Sequence, residues 1–334
     1  MAGRWAREKI GKGISRRELL KITGTAALIA ATGTLGCVKA DDIKPDITPT
    51  PTEKGPTPST ASPPVMPKEK TLIIATDENP VKLVDKAIDA YGGLSDIIKS
   101  GDKVVLKANY SFARTQEQAA CNHPDVLVRI MQRCKDAGAG DVVVMDYTLD
   151  SSVMCLERSG IGSALDKAGF KSISPSSSKM FTQKAMGGTY INDIRLANAL
   201  LEADCFINVP VLKNHSGAKL TACMKNLMGV IYDRGAFHSE GSLDTNIAEL
   251  ANYVKPDLMI LDAYRAMKTG GPGGSGSSQI IKPYTLIVGH DPVAIDSYGA
   301  SIIGLDAKDI DYIGIANRLG IGEIDYNKLS IKRV

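Results

Sequence analysis

The sequence predicts an α/β protein, a mostly parallel sheet with helices on both faces, preceded by a disordered tether. Three observations lead there. Over residues 71–334, short apolar runs alternate with segments of helical period. The runs are nearly continuous in Val, Ile and Leu, the pattern of strands buried on both faces. The chain is 43% hydrophobic but only 5% aromatic, with 32 glycines among its 334 residues, so a large core would pack from small and aliphatic side chains.

Taken in order, TLIIAT (71–76) reads as a strand and PVKLVDKAIDAYGG as its following helix. KVVLKANY leads to HPDVLVRIMQRCKDAG, and DVVVMDY to a segment reaching Phe170. CFINVPVL (205–212), DLMILDA and TLIVGH complete the strands, the last followed by the helical DPVAIDSYGASIIG. Strands spaced by helices imply βαβ units. Ligands of such sheets bind beyond the carboxyl ends of the strands. That rule selects Lys107, Asn109, Asp146, Lys213, His215, Asp262, His290 and Asp291.

VPVLKNHSGAKLTACMKNLMG (209–229) is the most charged of these exits. Leu220, Cys223, Met224, Leu227 and Met228 form one helical stripe. Ser216 is placed as N-cap and Gly229 as the residue after the helix. The helix then begins near Gly217, and Lys213, His215 and Lys219 crowd its positive end. Cations there make sense around a bound anion. Lys225 and Thr221 extend the polar face. The bland alternative is a solvated helix face.

Arg234 and His238 follow four residues apart, and His215 and His238 can meet across the intervening loop. Two histidines and a carboxylate suit zinc or iron, but no further ligand spacing supports a metal, and acid–base or anion-binding roles fit as well. Gly271-x-Gly273-x-x-Gly276 matches a dinucleotide fingerprint in form only, because a strand and not a helix follows it. Asp291 before Pro292 reads as an N-cap with proline at the first helical position. Asp296 lies inside an otherwise small and apolar helix, and a half-buried carboxylate there calls for a partner such as Lys107, Lys213 or Arg265.

The amino-terminal 40 residues read as an export leader. ISRRELLKITGTAALIAATGTLGC has a basic start, an apolar run too short to span a bilayer and a small-residue exit. Ser15 to Lys21 resembles the twin-arginine signal, with Leu19 where Phe is usual; an ordinary secretory signal is the alternative. Cys37 is a lipidation candidate, against cleavage after Ala40 or an uncleaved anchor. Residues 41–70 are rich in Pro, Thr and Ser and read as a tether. Residues 71–334 are then one α/β domain. Residues 1–40 hold eight Lys and Arg against two acids, more than the chain's whole net charge of +3. The rest is net acidic, which gives no case for nucleic acid. The five cysteines beyond Cys37 are odd in number and without a C-x-x-C pair, so they form no disulfide framework or ferredoxin spacing. They read as free buried thiols, with a metal assembled from distant Cys and His left open.

The chain resembles the family designated domain of unknown function 362, whose members are sometimes described as iron–sulfur-centre proteins. The likeness rests on VPVLKNHSGAKLTACMKNLMG, on RGAFH…LDTNIAELANYVKPDLMILDAYRAM…GGPG and on VGHDPVAIDSYGASIIGLD, in that order over about residues 71–325. It implies that Lys213, His215, Lys225, Asn226, Arg234, His238, Asp262, Asp291 and Asp296 are the motif positions. Members called iron–sulfur proteins often carry C-x-x-C-x-x-C-x-x-x-C; this chain does not, which argues against a ferredoxin-type cluster.

These readings converge on an exported protein, anchored at the outer face of the cytoplasmic membrane or in the periplasm, that binds an anionic small molecule or cofactor in a cationic cleft and is redox-associated. Lys213, Lys219 and Lys225 would supply charge, Asn226 a hydrogen bond, and Asp262 or Asp296 a counter-ion. The alternative is an enzyme acting on a phosphate- or carboxylate-bearing molecule, with His215 or His238 as acid–base. A cell-surface scaffold is the third reading.

Overall fold

The computed structural model describes residues 70–274 and 278–334. The leader, Cys37 and the tether up to residue 69 lie outside the described residues. The chain first forms β1 (Thr71–Thr76), α1 (Pro80–Tyr91), β2 (Lys103–Lys107), α2 (Pro124–Asp136) and β3 (Asp141–Met145). There follow α3 (Ser152–Ser159), α4 (Ile161–Ala168), β4 (Lys171–Ile173) and a separate hairpin of β5 (Phe181–Ala185) and β6 (Asp193–Ala197). Next come α5 (Asn198–Leu201), β7 (Cys205–Asn208), β8 (Val211–His215), β9 (Lys219–Thr221), α6 (Cys223–Asn226), α7 (Arg234–Ser239) and α8 (Leu243–Val254). The last part holds β10 (Leu258–Met267), β11 (Ile280–Ile281), β12 (Thr285–Gly289), α9 (Pro292–Ile302), α10 (Asp311–Arg318) and β13 (Ser330–Arg333).

The main sheet runs β13-β1-β12-β10-β7-β2-β3-β4. All of its neighbours pair in parallel except β12, which is antiparallel to both β1 and β10. Alternate side chains of each strand enter two cores. Ile73, Val104, Leu106 and Ile260 pack with Leu83 of α1, Ile130 of α2 and Leu165 of α4. Leu72, Ile74, Val105 and Leu261 pack on the other face with Leu250 of α8, Ile295 of α9 and Ile313 of α10. The helix starts follow local chemistry. Asn79 accepts from the Val81 and Lys82 amides ahead of α1, and Asp291 accepts from Ala294 ahead of α9, each beside a proline.

Two expectations fail here. The antiparallel β12 puts its carboxyl end at the opposite edge of the sheet, so His290 and Asp291 leave the group of strand exits. His290 Nε2 lies 2.8 Å from the Tyr91 hydroxyl, and Asp291 caps α9 and accepts from the Glu323 amide. The helix expected from Gly217 begins only at Cys223. Pro210 interrupts the apolar run, β8 restarts beyond it along β10, and residues 211–221 form the β8–β9 hairpin. Lys213 pairs with Thr221 and His215 with Lys219 across that hairpin. The His215 imidazole pins the turn, its Nδ1 accepting from the amides of Gly217 and Ala218 at 3.0 Å each.

The N-terminus of α6 is also not an anion site. Asp296 fills it from α9: its carboxylate accepts from the amides of Cys223 at 2.6 Å and Met224 at 3.1 Å. Asp296 is fully buried, and these amides take the place of the expected cation; Arg265 instead reaches the side chain of Gln116. The one-turn helix is thus held from a distant part of the chain, which no local propensity could supply.

Burial pushes the Asp296 carboxyl up to about 7, against the pull of the two amides. An unfolded Asp titrates near 3.9. Between the two values the folded state holds a proton that the unfolded chain has lost, so stability falls as pH rises from about 4 to about 7. Asp296→Ala, which strands both amides, is expected to cost about 2–3 kcal/mol in urea unfolding near neutral pH and to remove this component of the pH dependence.

Candidate functional site

At the carboxyl ends of β2 and β8 lies an open cavity of about 290 Å³. Lys107, Lys213, Lys225, Arg234, His215 and His238 line it, with the amides of Asn109 and Asn226, and among the described residues no acidic one is in its lining. Phe112, Leu149, Met228 and Pro272 supply apolar walls. The volume suits a small molecule, and the excess of cations suits an anionic one.

Lys107 is the fixed member. Its ammonium stands 2.9 Å from Asp146 Oδ1 and donates to the Ala108 carbonyl and to Asn226 Oδ1. The other oxygen of Asp146 accepts from the Tyr110 amide and the Ser111 hydroxyl. Gly229 passes directly over this pair: a Cβ there would lie 2.5 Å from Lys107 Cε and 2.6 Å from its Nζ. Glycine is required at 229 for that approach, and not for the left-handed backbone of a helix end.

A ladder of side-chain amides carries the geometry outward. Asn226 accepts from Asn109 Nδ2 at 2.9 Å and donates to Asn208 Oδ1 at 2.8 Å. Asn109 Oδ1 accepts from Lys213 Nζ at 3.0 Å, and the Ala120 carbonyl accepts from the same ammonium at 2.7 Å. Asn122 receives the Asn109 amide and donates to Asp262. Asp262 therefore lies behind the cavity and not in it: its carboxylate holds Asn122 and the His123 and Tyr264 amides.

Lys225 differs from the other lysines. It is 8% exposed, and its Nζ has only the Met228 sulfur, at 3.0 Å, as a hydrogen-bond partner among the described residues. Burial first, then the charges of Lys213 and Arg234, push it down to about 8. Lys213 is likewise held at about 8, chiefly by burial. Arg234 donates to the Tyr147 and Thr148 carbonyls and stacks 4.1 Å from the Tyr147 ring centroid.

The two histidines are in different states. Burial and the nearby lysines push His215 down to about 3, so it is neutral. Its Nδ1 is an acceptor in the turn, which places the proton on Nε2 and makes that nitrogen a donor. At His238 the Arg234 carbonyl accepts from Nδ1 at 2.8 Å, so Nδ1 carries a proton and Nε2 is the nitrogen left to face a ligand. A side chain held near 3 cannot serve as a base at neutral pH, so His215 is left as a hydrogen-bond donor.

Of the residues selected from the sequence, Lys107, Asn109, Lys213, His215, Lys225, Asn226, Arg234 and His238 meet at this cavity. Asp262, Asp291 and Asp296 are structural in the ways described. Lys219 turns away, its ammonium directed at the Asp309 carbonyl. Asn208 is not among the residues selected by the strand-exit rule, although a lone amide inside an apolar strand is a signal in itself; it is fully buried. Pro272 brings the glycine-rich segment to the cavity wall; its residues 275–277 lie outside the described residues. The five cysteines described are free and buried, and among the described residues no three His, Cys, Asp or Glu gather as metal ligands. Among the same residues no helix is long and apolar enough to cross a membrane.

Removing an unpaired buried charge stabilises the empty protein. Lys225→Met is expected to raise stability by about 1–3 kcal/mol at pH 7. Unfolded lysine titrates near 10.4, so the wild-type penalty is complete below about 8 and fades between there and the unfolded value. Thermal unfolding of both proteins from pH 7 to 10 should show the gap closing.

The family model described as Domain of unknown function (DUF362), a description that assigns neither a reaction nor an iron–sulfur centre, matches residues 104–301, more than half of the chain, and the chain belongs to that family. A curated relative, the Thylakoid-associated protein sll1697 of Synechocystis sp., is 26% identical over 247 residues, covering 70% of this chain and 73% of the relative. Among solved structures, the lactate racemase apoprotein from Thermoanaerobacterium thermosaccharolyticum aligns at a TM-score of 0.46 with 14% identity. A protein from Thermotoga maritima aligns at 0.44 with 10% identity. Each alignment covers 71% of this chain, which spans 58% of the first structure and 59% of the second.

Proposed function

We propose that this DUF362 protein is an enzyme acting on a small molecule that bears a carboxylate or phosphate. The observation that carries this reading is the convergence of Lys213, Lys225 and Arg234 on a small cavity whose lining holds no carboxylate. Lys107 is neutralised by Asp146, but the other three have no acidic partner within ion-pair distance among the described residues. Water-filled, the cavity keeps these charges at a cost; an anion relieves it. A purely structural cluster would not need to leave them uncompensated.

Charge alone would make a binding site. The histidines favour a reaction. His238 offers a basic Nε2, and His215 a neutral Nε2–H that can donate to a developing oxyanion without first losing or gaining a proton. The lysines stabilise negative charge as it forms. The sites for ligand contact are thus Lys213, Lys225, Arg234, Asn109 and Asn226, with His238 as acid–base.

The export reading rests on the SRRELLK sequence and its following apolar run. On that ground we place the enzyme outside the cytoplasm, anchored through Cys37; loss of export on Arg16→Lys and Arg17→Lys, followed by cell fractionation, is the expected outcome.

Calorimetry with a panel of small carboxylates and phosphates tests the function. At least one should bind, with affinity roughly tenfold or more weaker in Lys213→Met or Lys225→Met and falling in the wild type as pH rises past about 8. For a ligand that is turned over, His238→Gln should lower kcat by about 10²-fold with the fold retained. Indifference of the wild type to the whole panel would overturn the reading.

A further inference from the structure

Resting on the enzyme reading, we infer that Lys225 is a nucleophile that condenses with the carbonyl of a small 2-oxo carboxylate, while Lys213 and Arg234 hold the carboxylate. The substrate class of the same cavity is thereby narrowed from anions in general to carboxylates with an adjacent ketone or aldehyde.

Three lysines face the cavity, and their partners separate them. A nucleophilic amine needs a free lone pair, and an ammonium that is locked to acceptors cannot supply one. Lys107 is locked by Asp146, Asn226 and the Ala108 carbonyl. Lys213 donates to Asn109 and the Ala120 carbonyl. Lys225 has no oxygen acceptor among the described residues, only the weakly accepting Met228 sulfur. It is buried on a helix of one turn whose start is held by Asp296, so its backbone is fixed while its amine faces the cavity.

Its neighbours complete the case. Cations beside a buried amine favour its neutral form, and the direction of the Lys225 shift agrees, with Lys213 and Arg234 as the charges responsible after burial. The same two cations are the natural seat for a carboxylate. A 2-oxo acid carries its electrophilic carbon one bond from that carboxylate, so a single small molecule can meet both demands inside about 290 Å³. A phosphate ester without a carbonyl would use the cations and leave the free amine without a role.

The step balances without an added oxidant, reductant or metal. The amine nitrogen forms a bond to the carbonyl carbon, and one N–H proton moves to the carbonyl oxygen. The resulting hydroxyl leaves as water on taking a proton from His238 Nε2, and the second N–H proton returns to that nitrogen to give the neutral imine. Lys225 loses two hydrogens, the substrate loses its oxygen, and one water is released. His215 Nε2–H is a donor able to polarise the carbonyl at the outset.

The test is reductive trapping on the whole purified protein with pyruvate, glyoxylate and 2-oxoglutarate as separate probes. Sodium borohydride is added, adducts are located by peptide mass mapping, and calorimetry of each probe is run alongside. The expected result is one adduct, on Lys225, suppressed by excess phosphate and at least roughly tenfold reduced in Lys225→Arg. The mapping is made on the wild-type protein and does not depend on how that variant folds. A probe that binds by calorimetry yet leaves Lys225 unmodified overturns the nucleophile and leaves the anion site standing. Adducts spread over surface lysines, or undiminished in Lys225→Arg, overturn it as well. Phosphate binding without binding of any oxo acid overturns the substrate class alone, and the absence of all binding overturns the enzyme reading with it.

Discussion

The ion pair between Lys107 and Asp146 is the interaction on which the site depends. It joins the carboxyl ends of the neighbouring parallel strands β2 and β3, both residues almost wholly out of solvent. Such a pair is tolerable in a core only when the remaining donors and acceptors are satisfied. Here they are taken up by Ala108, Asn226, Tyr110 and Ser111, so the pair recruits the loop after β2 and the helix α6 to one point. Gly229 closes over it because nothing larger fits. Every other cation of the cavity is positioned relative to this fixed corner.

Around that corner the protein maintains an electrical imbalance. Among the described residues the charges of Lys213, Lys225 and Arg234 have no carboxylate within ion-pair distance, and all three side chains are at least partly withdrawn from bulk water. A folded chain meets such a cost elsewhere, and two well-filled cores on either side of the sheet supply the surplus. The arrangement resembles a preorganised oxyanion site more than a structural salt-bridge network: donors and charges are already in place, so little reorganisation remains when an anion enters.

The sequence made much of this legible, for identifiable reasons. Strand exits predicted Lys107, Asn109, Lys213 and His215, because polar groups directly after a buried apolar run have few other uses. Arg234 and His238 were found by their spacing. The failures share one cause, long-range contacts. The direction of β12 is invisible in its own apolar side chains, which would look the same in a parallel strand. The stripe from Leu220 to Met228 is genuinely apolar, yet its first part is a strand because β8 needs a partner and His215 ties the turn. The start of α6 is decided by Asp296, 73 residues along the chain. Its carboxylate read as a counter-ion because burial of an acid implies a donor, and sequence alone does not say whether that donor is a cation or a backbone amide.

The amide ladder of Asn122, Asn109, Asn226 and Asn208 has a consequence for the ageing of the molecule. An asparagine side chain can accept a hydrogen bond from an ammonium and donate one onward while remaining uncharged. That neutrality lets the ladder orient lysines without cancelling them. Hydrolytic loss of ammonia, the common chemical decay of asparagine, exchanges the amide nitrogen for oxygen, so at Asn226 the donor to the Lys107 carbonyl and to Asn208 Oδ1 becomes an acceptor. At Asn226 it would also install a negative charge beside Lys107 and in reach of its neighbours. The cavity would then carry one counter-ion of its own, and its attraction for anions would weaken without any change in the lysines themselves.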